Sequence, residues 1–172
     1  MIGLLPAAWH DLFTAVAAAS AALLGLFFVA FSLHLRDIES NPILRNRART
    51  NVQALVTALV QALSVLIPGQ GNAWLGVEIA IVNVLYLLLV TAGVWRTLRS
   101  RAKLTAAIWL RLSLNPILVL LGVVGGASLV LDKGPGMFLL VPGVFVRFPV
   151  ITYNAWAVLF PPELRRGQVH KT

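Results

Sequence analysis

The chain has 172 residues, 59% of them hydrophobic and 12% charged, with a mean hydropathy of +0.86. Soluble domains carry about 25% charged residues, so this composition excludes an ordinary soluble protein and points to an integral membrane protein with room for about four to six spans of roughly 20 residues. The net charge of +8 reports orientation first in such a protein and needs no nucleic acid to explain it, while the lack of cysteine excludes disulfides, thiolate metal sites and cysteine nucleophiles.

The first apolar segment, Leu12 to Leu35, is too long for a signal-peptide core and lacks a basic leader, so it is expected to stay as a spanning helix. Asp11 is its expected N-cap, and Trp9 suits a membrane interface. The polar stretch RDIESNPILRNRART follows. A second span is expected over 51–68, in a helix that starts earlier if Asn41 and Pro42 are its N-cap and first residue. PGQGN makes a tight turn into a third span over 73–95, and the basic linker RTLRSRAK leads to a fourth over 104–131. DKGPG makes a second tight turn. The last segment, 137–160, is interrupted by Pro142, Arg147 and Pro149, and its hydropathy alone is near balance, because a central arginine costs about 2.5 to 3.5 kcal/mol on the insertion scale.

Charge decides it. Arg36, Arg45, Arg47 and Arg49 follow span one, Arg96, Arg99, Arg101 and Lys103 follow span three, and Arg165, Arg166 and Lys171 follow the last segment. Five spans put all of these on the cytoplasmic side and leave Lys133 outside, whereas four would send the C-terminal group across to join it. The expected fold is therefore an all-α transmembrane helical bundle, one integral membrane domain of five spans, with the N-terminus out and the C-terminus in. The basic loops are expected to meet anionic lipid.

Lipid gives helices no hydrophobic reason to associate, so small residues and polar contacts must hold them. Ala18, Ala22 and Gly25 offer a small face on span one, and Gly122 and Gly126 form a GxxxG pair on span four. Either can seat a helix of the same chain or of another subunit. NPIL and NAW each occur twice, but their surroundings do not align, so no inverted repeat is inferred.

No HExxH, GxSxG or paired-carboxylate pattern is present, and His10, His34 and His170 lie in separate regions. An enzyme, a metal and a cofactor are not expected. Arg111 lies roughly 10 Å into span four and leans toward the nearer surface, so it can snorkel. His34 is read as an interface residue, and Gln61, Asn83, Tyr86, Asn115 and Asn154 as interhelical hydrogen bonders. Arg147 is different. It lies about 15 Å below the outer end of its span, the midplane of a core about 30 Å thick. The only embedded carboxylate, Glu78, lies in the direction it leans, so an Arg147–Glu78 pair is expected, with Asn154 on the same face and carbonyls freed by Pro142 and Pro149 as further acceptors. Such a pair is either a structural lock or part of a functional pathway.

The stretch WHDLFTAVAAASAALLGLFFVAFSLHL, with LIPGQGNAWLGVEIA and NAWAVLF, resembles a group of small multi-spanning bacterial membrane proteins whose first helix reads G-L-x-F-V-A-x-S-L-x-L, here Gly25, Leu26, Phe28, Val29, Ala30, Ser32, Leu33 and Leu35. Members are sometimes labelled modulators of the FtsH membrane protease. The resemblance implies a multi-pass protein of the bacterial inner membrane with a membrane protein partner. Pro161 and Pro162 precede Glu163 where related proteins turn acidic. Two functions are weighed from here: a self-associating bundle, a homo-oligomer with a polar route for an ion or small solute, and a membrane-embedded regulator or scaffold of a larger complex.

Overall fold

A computed structural model describes the backbone of residues 6–40, 42–99 and 106–159; the side chains at 7, 37, 42, 43, 47, 94, 96–99, 106–115 and 153–159 lie outside this description. Among the described residues all regular structure is helical. Helices α1 (His10–Leu33), α2 (Leu35–Ser40), α3 (Pro42–Leu66), α4 (Asn72–Arg99), α5 (Ala106–Val130) and α6 (Leu140–Leu159) follow in order, with short 3-10 turns at Pro6–Trp9 and Gly136–Leu139.

Helix α1 begins one residue before Asp11, so Trp9 takes the N-cap position and makes no side-chain cap bond. Asp11 falls in the first turn instead, where a carboxylate still favours the helix dipole. The helix ends at His34, whose backbone leaves the helical region and whose Nδ1 lies 3.1 Å from Ala30 O. Helix α3 starts at Pro42, as the proline suggests, and so runs nine residues beyond the expected span before it stops near Pro68. In the following turn Gly69 has φ 74°, a backbone position that glycine takes without strain.

At the far end of α5 the chain turns through Asp132 (φ 50°) and Gly134 (φ 90°). Ser128 fastens this turn by donating to Lys133 O and accepting from Gly136 N at 2.9 Å. Asn72 Nδ2 donates to Asp132 Oδ1 at 3.0 Å, so the α3–α4 and α5–α6 turns meet at one end of the bundle. Pro142 sits in the first turn of α6, where its missing N–H costs nothing, while Pro149 lies inside the helix.

Helix α3 packs against α1, α4 and α6, and α5 lies against α4 and α6. The closest approach is between α4 and α5. A Cβ on Gly126 would lie 2.6 Å from Gly76 O, and one on Gly76 would collide with Gly126 O and with Val130 N at 2.9 Å. Backbone meets backbone there. Gly126 of the expected GxxxG pair thus serves a helix of its own chain.

Two apolar clusters fill the interior. One gathers Phe13 and Val16 of α1, Ala62 and Val65 of α3, Leu75 and Ile79 of α4, Leu129 of α5, and Leu140 and Val144 of α6. The other gathers Phe27, Ala54, Leu55, Tyr86, Val119 and Ile151 from the same helices. The order in which the chain meets them reverses from one long helix to the next, so the long helices run alternately up and down. Helices His10–Leu33 and Asn72–Gly93 are long and apolar enough to cross a membrane. In α5 and α6 the described apolar runs, Pro116–Val130 and Gly136–Thr152, are shorter.

Candidate functional site

Between the two clusters each long helix contributes a small or polar residue: Ser20 of α1, Gln61 of α3, Asn83 of α4, Gly122 of α5 and Arg147 of α6. The chain order shows why they share a level. Ser20 falls between Val16 and Phe27, Asn83 between Ile79 and Tyr86, Gly122 between Val119 and Leu129, and Arg147 between Val144 and Ile151, in each case with one neighbour in each cluster. Gln61 adjoins Ala62, and Leu55 lies below it.

Arg147 is the centre of this layer, only 5% exposed. Its Nη1 donates to Gln61 Oε1 at 3.2 Å and its Nη2 to Asn83 Oδ1 at 3.4 Å. The guanidinium carbon stands 4.9 Å from the centre of the Tyr86 ring, within cation–π range. Asn83 is held for this task, because its Nδ2 donates to Ile79 O one turn back at 2.8 Å and its Oδ1 is left for the arginine. Gly122 makes room for it. A Cβ on Gly122 would fall 2.5 Å from Asn83 Oδ1 and 2.6 Å from its Cγ and Nδ2.

The expected Arg147–Glu78 pair is not formed, since the guanidinium meets two neutral amides instead. Glu78 lies five residues before Asn83, a turn and a half along α4 and about 140° around it, so the face that reaches Arg147 carries Asn83 and not the carboxylate. Glu78 Oε2 is buried with no hydrogen-bond partner among the described residues. The carbonyls expected from the prolines do not serve as acceptors either, and Arg147 Nε is buried without a hydrogen-bond partner. Pro142 frees none, being in the first turn.

Of the other expected residues, Asn83 and Tyr86 both touch Arg147. His34 caps the end of α1 far along the helix from this layer. The side chains of Arg111, Asn115 and Asn154 lie outside the described residues. Ala18, Ala22 and Gly25 form an exposed face of α1, and nothing lies within 4 Å of a Cβ placed on Gly25.

Ser20 and Gly76 carry no signal in composition or motif. Ser20 is fully buried, and its Oγ has no hydrogen-bond partner among the described residues. Its one visible mark is being the only hydroxyl in the alanine run that follows Thr14.

Chemically, the layer is a cation held by neutral acceptors inside a double apolar wall. Among the described residues no three metal-ligating side chains come together. No family model, curated protein or solved structure matches this chain.

Proposed function

We propose that the chain is a non-enzymatic integral membrane protein that self-associates and offers a polar route for an ion or small solute through the Arg147 layer. Its surface is apolar where that of a soluble bundle is polar: Leu26, Phe28, Leu33, Leu88 and Phe145 are all at least 60% exposed, while Arg147, Gln61 and Asn83 are buried between the apolar clusters. Exposed hydroxyls satisfy themselves within their own helices, Thr14 on His10 O, Ser32 on Phe28 O, Thr91 on Leu87 O and Thr152 on Phe148 O. That habit suits hydrocarbon, where no water is available to a polar group. Alternating helices and the distribution of Lys and Arg support five spans with the N-terminus out and the C-terminus in, as in a multi-pass protein of a bacterial inner membrane.

The observation that carries the functional reading is a buried arginine with no neutralising carboxylate among the described residues. A structural lock is better made from a paired charge, because an unpaired one keeps its desolvation penalty. Intramembrane charges that persist unpaired are characteristic of ion and substrate pathways. Purified protein in liposomes is expected to pass ions, and Arg147→Ala is expected to change the flux or its selectivity by about tenfold or more, with helicity by circular dichroism as the control. Absence of flux from wild-type protein, with misfolding of the variant, would leave Arg147 as a lock.

The free face of α1 favours a second reading, a regulator or scaffold of a larger membrane complex such as a membrane protease. Ala18, Ala22 and Gly25 are exposed and available to a foreign helix. Copurification of a protein that survives mild detergent supports this reading, and a homo-oligomer free of other proteins supports the first.

A further inference from the structure

We infer that the layer around Arg147 is a binding site for a small monovalent anion of the halide class. This rests on the reading of the layer as an ion route and adds the sign and size of the ion. The hydrogen-bond balance carries it. Both amide oxygens that face the guanidinium, Gln61 Oε1 and Asn83 Oδ1, are already accepting from it. Two buried donors at the level of this layer, Arg147 Nε–H and the Ser20 hydroxyl, have no hydrogen-bond partner among the described residues. A site with spare donors and a fixed positive charge attracts an anion and repels a cation.

Charge and the apolar walls narrow the choice. One guanidinium is neutralised by one negative charge, whereas a divalent anion would restore an unpaired charge of the opposite sign. The apolar clusters above and below contain Val144, Ile79, Tyr86 and Ile151, which offer nothing polar to a large organic acid, apart from the tyrosine hydroxyl. Glu78 stands a turn and a half away toward one end of α4, so among the described residues no carboxylate competes for the guanidinium. The same clusters close the layer on both sides, so the ion is held in an occluded position and exchanges only when one of them parts.

The test is thermal unfolding of the purified full-length chain in detergent, with sodium chloride or bromide replacing sodium gluconate at constant ionic strength. Chloride should raise the midpoint, in proportion to the logarithm of its concentration once that exceeds the dissociation constant, as a ligand that binds only the folded state must. Arg147→Gln should abolish the chloride response. Ser20→Ala, a smaller change that keeps the arginine, should weaken apparent chloride affinity about tenfold, the loss of one hydrogen bond to an ion. Equal midpoints in chloride and gluconate for the wild-type chain overturn the inference, as does a chloride response that survives in Arg147→Gln. If Arg147→Gln fails to fold, Ser20→Ala decides alone: unaltered chloride affinity overturns the site as drawn. Chloride binding without flux in liposomes upholds this inference and removes the transport reading, while cation flux with no chloride response does the reverse.

Discussion

Asn83 and Gly122 occupy the same space by turns: the amide stands where a Cβ on Gly122 would be, 2.5 Å from Asn83 Oδ1. Gly122→Ala must therefore push Asn83 off the guanidinium or push α5 off α4. Either way it should destabilise by about 1–3 kcal/mol, the usual cost of overpacking a close-fitted interior. In an Asn83→Ala background the clash is gone and the same substitution should cost much less. A double-mutant cycle read by thermal or denaturant unfolding in detergent checks this, and purely additive effects would mean that the two residues do not share the space. A depth estimate along the helix is enough to find Arg147, since it needs only the rise per residue. Its partner was not legible in the same way. Depth pointed to Glu78 because a carboxylate is the strongest acceptor, but rotation about α4 turns Asn83 inward, and rotation depends on packing that one helix's sequence does not state.

Small residues serve two different purposes on α1 and α5, and the distinction belongs to the helices as units. On α5, Gly126 lets the backbone of α4 approach at Gly76, so a methyl group at either place meets main-chain atoms that cannot step aside. Gly76→Ala and Gly126→Ala should each lower stability by about 1–3 kcal/mol. On α1, Gly25 has open space around it, and Gly25→Ala should be neutral or stabilise slightly, by up to about 1 kcal/mol from helix propensity. Unfolding in detergent compares all of them in one series, and a large loss from Gly25→Ala would show that α1 is covered in the native assembly. Both small-residue runs look alike as sequence, and only the run on α5 is matched to a partner, Gly126 to Gly76 and Gly122 to Asn83. Helix existence was easier to read than helix ends. The long apolar runs gave the core of each helix, yet α3 extends back to Pro42 through about two and a half arginine-rich turns because a helix continues past a hydrophobic boundary until its backbone is interrupted.

At the scale of the whole molecule, the Asn72–Asp132 hydrogen bond fixes the two short turns on the same end of the bundle. The alternation of the apolar clusters along successive helices puts the α1–α2 break on the opposite end. If the chain crosses the membrane along this axis, single cysteines at Gly71 and Lys133 must react with an impermeant thiol reagent from the same side. The chain has no native cysteine to interfere, and Gly71 is preferred to Asn72 because it leaves the bond to Asp132 intact. A cysteine at Arg36, just beyond α1, should be protected until the membrane is opened, and one at Gln168 should share that protection if the charge distribution sets five spans. Labelling at Gly71 and Lys133 from outside intact cells, with Arg36 and Gln168 silent, is the expected pattern. Reaction of Gln168 from outside would mean that the last helix does not cross, and Arg147 would then sit in a re-entrant segment whose charge is reached from one side only. Labelling of Gly71 and Lys133 from opposite sides would separate two turns that share a hydrogen bond, and the bundle itself would have to be redrawn.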